Sequence, residues 1–370
     1  MSTRRRVAVL MGGRSSEHEI SLASARSVLE ALEPERYEIV TVEIGRDGRW
    51  ALGAGSAAAE LPASAGHGQN RQGTVTGTVT VTVPPPRGPR PAETLPVPVS
   101  SDGVLSALAG VEVVLPILHG PFGEDGTVQG LLELAGVPYV GAGVAASAVC
   151  MDKDLMKAVL AARGIPVTRS VTIRDGDPIG HPFGYPVFVK PARLGSSVGI
   201  TKVRAPEELE PAVSLAREHD EKVLIEELVS GVEVECGVLG NRTPIASLPG
   251  EIVAHGFAGT DWYDYSAKYD EGGMDLIVPP RISEEQSRRV QETSVDAFVA
   301  TECESMARVD CFVTGDGEVL VNELNTIPGF TATSVYAKLF EASGISYPEL
   351  LDRLIDLALE RHERRSRLKF

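Results

Sequence analysis

The sequence has few cysteines, no long apolar run, and too few basic residues to balance its acids. Each shortage excludes a class of protein. The four cysteines, Cys150, Cys236, Cys303 and Cys311, are spread out without a C-x-x-C pair. They read as reduced core thiols, neither a disulfide framework nor a zinc site, which points to the cytoplasm. No apolar stretch approaches the roughly 20 residues of a membrane-spanning helix, so no membrane role is expected. The arginines before Val7-Ala8-Val9-Leu10-Met11 imitate a secretion signal. The apolar part is too short and two glycines follow, so this segment reads as a first strand. With 35 basic against 51 acidic residues the formal charge is -16. That is the opposite of what displacing counterions from duplex nucleic acid requires, so no nucleic-acid partner is expected and any phosphate ligand must meet local lysines. No G-K-[ST] follows a glycine-rich loop, and the histidines show no H-x-x-x-H metal spacing.

The length of 370 residues exceeds what one core usually organises, so two or three domains sharing a cleft are expected. Arg6 to Met11 and Tyr37 to Ile44 read as buried strands around a helix from Ile20 to Leu32, opened by a Ser16-x-x-Glu19 capping box. From Trp50 to about Ser101 the composition shifts to Ala, Gly, Thr and Pro, with period surviving only in Thr74 to Val83. This stretch is read as an insertion. Val111 to Leu118 is a further strand, feeding His119-Gly-Pro-Phe-Gly-Glu-Asp-Gly and a helix from Thr127 to Ala135. Loops at such strand ends are where α/β sheets bind ligands. A helix from about Asp152 to Arg163 stops at Gly164, with Pro166 beyond.

Several constellations carry chemistry. In Val187-Phe-Val-Lys190-Pro-Ala-Arg-Leu-Gly195-Ser-Ser-Val-Gly199, a strand ends on a lysine and enters a glycine-serine loop whose N–H groups can cradle phosphate. On these residues alone an ordinary turn is the commoner outcome. Ala307 to Thr314 and Val319 to Asn325 read as a hairpin with a type I′ turn at Asp316-Gly317. That register sets Asp310 opposite Glu323 and Arg308 opposite Asn325, on one face. Two carboxylates and an amide oxygen among apolar neighbours suit Mg²⁺, although Arg308 could instead neutralise the acids as a structural ion pair. Ile225-Glu226-Glu227-Leu228-Val229-Ser230-Gly231-x-Glu233 could offer amides to a base and a carboxylate to ribose, or be a solvated acidic turn. Gly141-Ala-Gly143-Val-Ala-Ala146 fits the dinucleotide fingerprint G-x-G-x-x-A, but it lies late in the chain and lacks the acid that should end the next strand, so it is set aside.

In order along the chain, Gly12-Gly-Arg-Ser-Ser-Glu17-His-Glu-Ile-Ser-Leu22, His119 to Gly130, Pro138 to Gly143, Met151-Asp-Lys153, Lys190 to Gly199, Tyr263 to Tyr269, Arg308-Val-Asp310 and Asn322-Glu-Leu-Asn-Thr-Ile-Pro-Gly329 resemble the D-alanine:D-alanine ligase family of the ATP-grasp superfamily. The resemblance covers nearly the whole chain outside the insertion. It implies an α/β ATP-grasp fold with an N-terminal Rossmann-like domain, three domains around a central cleft: 1–145 for substrate, with the insertion at about 50–101, then 146–232 as a lid, then 233–370 with the metal and catalytic site.

By that resemblance Lys153 and Lys190 contact the phosphates of ATP, with Ser197 also at the nucleotide. Glu226, Glu227 and Val229 surround adenine and Glu233 the ribose. Asp310, Glu323 and Asn325 hold two Mg²⁺, or Mn²⁺, agreeing with the hairpin reading. Glu17 takes the ammonium of the first D-alanine within a group including Ser196 and Tyr269, and His119 lines that pocket. Ser334 and Lys268 meet the second D-alanine's carboxylate, while Arg308 and the backbone N–H of Gly329 form the oxyanion site. The implied reaction makes D-alanyl-D-alanine for peptidoglycan through an acyl phosphate and a tetrahedral intermediate. A homodimer is implied too. The loop Asp261 to Tyr269 is where sibling ligases with D-lactate or D-serine as second substrate differ, and Tyr269 beside Lys268 favours D-alanine.

Overall fold

A computed structural model describes residues 4–52, 108–254 and 274–369. Most of the expected insertion, and the whole loop with Lys268 and Tyr269, lie outside the described residues.

The N-terminal sheet is built on β1 (Arg5–Gly12), whose Val7 to Leu10 are fully buried. A strand covered on both faces reads as a continuous apolar run, which is why it was legible. The chain crosses through α1 (His18–Ala31) to β2 (Tyr37–Ile44), parallel to β1, and β3 (Trp50–Leu52) adds antiparallel to β2. On the other side β4 (Val113–Pro116), shorter than expected, pairs parallel with β1. The capping box expected at Ser16 does not form. Glu17 is the N-cap and makes no side-chain capping bond; its backbone N–H donates to Ser15 Oγ at 3.2 Å.

After β4 come α2 (Thr127–Ala135), α3 (Val144–Met151) and α4 (Lys153–Ala162). The glycines of the dinucleotide-like fingerprint therefore lead into α3. Asp152 separates α3 from α4 and caps α4, accepting from the Leu155 N–H at 3.2 Å. A second sheet is antiparallel throughout: β5 (Ser170–Ile173), β8 (Val223–Glu227), β6 (Val187–Pro191) and β7 (Thr201–Val203) in spatial order, with α5 (Leu209–Arg217) packed on it.

The third sheet runs β12 (Met274–Ile277), β11 (Gly250–Ala254), β9 (Gly231–Gly240), β13 (Ser305–Thr314), β14 (Val319–Asn325), with β10 (Ile245–Ala246) beside β9. α6 (Glu284–Ala300) packs against it, opened by a complete capping box between Ser283 and Gln286. The last helices, α7 (Val335–Ala342) and α8 (Tyr347–Ser366), return to the N-terminal sheet. Leu350, Leu354 and Ile355 share one core with Val7, Val9 and Val28, and Tyr37 donates to Asp352 at 2.5 Å.

The β13–β14 hairpin corrects one expectation and keeps another. Instead of a two-residue type I′ turn, Thr314 N–H reaches Glu318 O at 3.0 Å, with Gly317 at φ +87. This puts the tip one residue out of the expected register, Val313 facing Val319. A bulge between Asp310 and Cys311 absorbs the difference, so Asp310 does face Glu323 and Arg308 faces Asn325. The extra residue is Asn322.

Candidate active site

The second and third sheets face each other across a cleft of about 300 Å³. Lys153, Lys190, Ser196, Ser197, Glu226, Glu227, Val229, Glu233, Asp310 and Glu323 all line it. Residues from four separate stretches of sequence thus meet in one place. Phe188, Ile200, Leu228 and Phe312 give it apolar walls suited to a flat base. None of these four was singled out from sequence, although Phe188 and Phe312 are the half-buried positions of strands whose neighbours are fully buried.

The lysines are held by specific acceptors. Lys153, on α4, lies 3.1 Å from Glu323 Oε2 and donates to the Leu194 carbonyl at 2.9 Å. Lys190, at the end of β6, donates to Glu226 Oε1 at 2.7 Å and to Asn322 Oδ1 at 3.4 Å. The bulge therefore turns Asn322 toward the cleft. Glu226 is not part of a solvated acidic turn. Its carboxylate is buried and also accepts from Lys157 and, at 3.0 Å, from the Thr168 hydroxyl. Burial pushes the Glu226 carboxyl up, but the two ammoniums outweigh that and hold it at about 2. Glu227 is likewise committed, forming a two-bond pair with Arg169 near the surface. What these two positions offer a base is backbone and stem; their carboxylates are already taken.

On the hairpin face, Arg308 donates to both oxygens of Asp310 at 2.7 Å and lies 2.9 Å from Glu235. Asn325 Nδ2 donates to Asp310 Oδ2 at 3.0 Å. Asp310, Glu323 and Asn325 are together as expected, and Arg308 and Lys153 neutralise the acids. The oxygen-rich donor set fits a hard divalent cation. Among the described residues no three His, Cys, Asp or Glu side chains converge as a metal cluster.

The glycine-serine loop reaches the N-terminal sheet. Ser196 and Ser197 both adopt left-handed backbone, φ +52 and +58, which non-glycine residues rarely do. The Ser196 hydroxyl donates to Glu17 Oε1. Gly120 has φ +73, a backbone conformation that favours glycine, and a Cβ there would come within 2.5 Å of Glu17 Oε2 and displace that carboxylate. His119 is buried with both ring nitrogens used: Nδ1 donates to the Ile327 carbonyl at 2.9 Å and Nε2 lies 3.3 Å from the Ser24 hydroxyl. Burial lowers its pKa, so the ring is neutral and braces the pocket wall. Glu124 grips the same segment, accepting from Gly120 N–H at 2.9 Å and Ile327 N–H at 3.2 Å. Burial first, and then the charge of Glu17, push its carboxyl up to about 8. Nothing in the local pattern of its loop marks Glu124, since its burial comes from segments distant in sequence.

Gly329 and Ser334 adjoin: a Cβ at Gly329 would lie 3.3 Å from Ser334 Oγ, which accepts from the Thr331 N–H at 3.0 Å. The four cysteines are free and buried, as expected. Two of them meet, with 3.7 Å between Cys150 Sγ and Cys303 Sγ. No helix among the described residues is long and apolar enough to cross a membrane.

Comparison with known proteins gives this geometry its context. Residues 6–142 match the family description "D-ala D-ala ligase N-terminus" and residues 159–356 match "D-ala D-ala ligase C-terminus". A D-alanine–D-alanine ligase of Mycolicibacterium smegmatis is 45% identical over 367 residues, covering 97% of this chain and 96% of the relative. Among solved structures, the D-alanine-D-alanine ligase of Coxiella burnetii aligns with a TM-score of 0.76 at 36% identity, over 98% of this chain and 96% of its own. The VanG D-Ala:D-Ser ligase of Enterococcus faecalis aligns at 0.77 and 34%, over 96% and 100%. Both halves matching in order around one lysine- and acid-lined cleft, the chain belongs to the D-alanine–D-alanine ligase family of the ATP-grasp superfamily.

Proposed function

We propose that this enzyme activates one D-alanine at the expense of ATP and joins it to a second. It is an ATP-dependent ligase making D-alanyl-D-alanine for peptidoglycan precursors. The observation that carries the residue assignment is the contact between Ser196 and Glu17, which brings the glycine-serine loop of the nucleotide cleft against the N-terminal sheet. An amino acid held there lies between its ammonium acceptor and the phosphate-binding lysines.

A carboxylate condenses with an amine only after one oxygen becomes a leaving group. Glu17 takes the ammonium of the first D-alanine, and Lys153 and Lys190 draw the triphosphate to the carboxylate. Lysine charge offsets the repulsion between that carboxylate and the γ-phosphate. Asp310, Glu323 and Asn325 would hold Mg²⁺ or Mn²⁺, which supplies further charge neutralisation when bound. The apolar walls hold adenine beside Glu226, Glu227 and Val229, Ser197 meets the nucleotide, and Glu233 meets the ribose. The carboxylate attacks the γ-phosphate and ADP leaves, giving an acyl phosphate; the deprotonated amine of the second D-alanine then attacks the acyl carbon, and phosphate departs from the tetrahedral intermediate as the amide forms. Arg308, anchored on Asp310 through Nε and Nη2, turns its remaining edge to the developing oxyanion together with the N–H of Gly329. Ser334 and Lys268 take the second carboxylate. The family resemblance assigns Tyr269, outside the described residues, a role with Glu17 and Ser196 in catalysis, so Tyr269→Phe should keep the fold and ATP binding but lose dipeptide synthesis.

Three domains are proposed, 1–145, 146–232 and 233–370, each containing most of one sheet, although Met156 and Leu160 of α4 pack in the core of the third sheet and α8 packs on the first. The protein acts in the cytoplasm, as a homodimer through its N-terminal domain. A D-serine ligase shares this fold, so the second substrate is the competing reading. Phosphate release is measured with Mg²⁺-ATP and D-alanine, and in parallel with D-alanine plus D-serine or D-lactate, with products weighed by mass spectrometry. D-alanyl-D-alanine from D-alanine alone is expected; preferential formation of a mixed product would move the enzyme to the sibling specificity.

A further inference from the structure

The buried cluster behind the cleft contains one lysine that the reaction above does not use. Lys157 lies one helical turn beyond Lys153 on the buried face of α4. Its ammonium has three donors, and three acceptors surround it: the Thr168 carbonyl at 3.0 Å, the Thr168 hydroxyl at 2.6 Å and Glu226 Oε2. An ammonium so completely engaged is a poor candidate for a ligand contact. Glu226, in turn, divides its two oxygens between Lys157 and Lys190.

We propose that Lys157 is a positioning residue of the nucleotide site, which holds one side of the Glu226 carboxylate so that Lys190 keeps its charge available for phosphate. This rests on the assignment of Lys190 to the phosphates. The electrostatics follow from counting: Lys157 and Lys190 against Glu226 leave a net charge of +1 in a buried site. With Lys157 gone, one carboxylate faces one ammonium, and a phosphate arriving at Lys190 must compete with a full ion pair in surroundings that screen charge poorly. Burial, with the charges of Lys190 and Lys153, pulls Lys157 down to about 8 against the opposing pull of Glu226. The Thr168 contacts fix where the lysine can stand. Thr168 N–H is bound to the Val321 carbonyl at 3.1 Å, so the cluster is also tied to β14.

The test compares wild type, Lys157→Met, Lys157→Met with Glu226→Gln, and Lys190→Met. Each is read by the KM for ATP and for D-alanine, by ADP affinity from calorimetry and by thermal melting. Lys157→Met retains the Glu226 and Lys190 pair and should fold. Its KM for ATP and its ADP dissociation constant should rise by about tenfold or more, the weight of one charge-assisted contact, with the KM for D-alanine within about twofold. Adding Glu226→Gln removes the competing carboxylate and should recover most of the ADP affinity. A purely structural lysine would give the opposite: the double variant would bind ADP no better than Lys157→Met. That result, or unchanged nucleotide affinity in Lys157→Met, overturns the inference. Unchanged affinity in Lys190→Met would instead overturn the phosphate assignment beneath it.

Discussion

The Ser196 hydroxyl donates to Oε1 of Glu17, the N-cap residue of α1, 179 positions earlier in the chain. That bond ties a strained left-handed loop to the start of α1. It also orients the acid proposed to take the first amino acid.

Ser196→Ala should therefore damage D-alanine use more than ATP use. Loss of a hydrogen bond to a charged group is worth about 1.5–3 kcal/mol, or about a tenfold to hundredfold fall in kcat/KM for D-alanine. Steady-state kinetics at saturating ATP gives the value. An unchanged kcat/KM would mean that Glu17 is oriented without the serine.

Asp310→Asn and Glu323→Gln should weaken divalent-cation binding to the ADP complex by about tenfold or more each, since hard cations favour charged oxygens. Mn²⁺ titration followed by electron paramagnetic resonance reads this without turnover. Retained Mn²⁺ affinity would remove the residue from the ligand set.

Glu124 makes stability depend on pH. Its carboxyl rises from 4.5 to about 8 on folding, so between those values the folded state binds the extra proton. Its contribution is present below pH 4.5 and is lost as pH rises toward about 8. Melting temperatures of wild type and Glu124→Gln across this window should diverge, the wild type falling more steeply with rising pH. Parallel curves would show that Glu124 is ionised throughout.

Glu226 behaves with the opposite sign. Held at about 2 against an ordinary 4.5, its carboxylate stabilises the fold above pH 4.5 and ceases to as pH falls through 2. Glu226→Gln alone strands two buried ammoniums and should cost about 3–5 kcal/mol at pH 7, by chemical denaturation. The double variant with Lys157→Met should be the more stable of the two. A Glu226→Gln protein as stable as wild type would mean that water reaches the cluster.

Local pattern carried much of this protein. Tyr37–Ile44 and Thr127–Ala135 fall where apolar periodicity places them, because strand and helix repeats are properties of neighbours in sequence. The facing of Asp310 and Glu323 was also legible, but by way of a turn that is not the expected one. Asn322, the bulged residue, shows the limit: nothing in a hairpin's sequence says which residue the ladder will leave out. The helix α3 was missed because its glycine-rich lead-in reads equally as a loop.

The sequence by itself determined most of the α/β elements, the lysines, acids and glycines that resemble a ligase, and the net acidic charge. Only the tertiary structure decided which charges meet. Glu226 and Glu227 are adjacent and chemically alike, yet one is buried between Lys157 and Lys190 while the other pairs with Arg169 near the surface. Successive residues on a strand point to opposite faces, and what waits on each face comes from segments tens of residues away. The energy of a buried ion depends on those neighbours and on the water they exclude, so it belongs to the folded assembly.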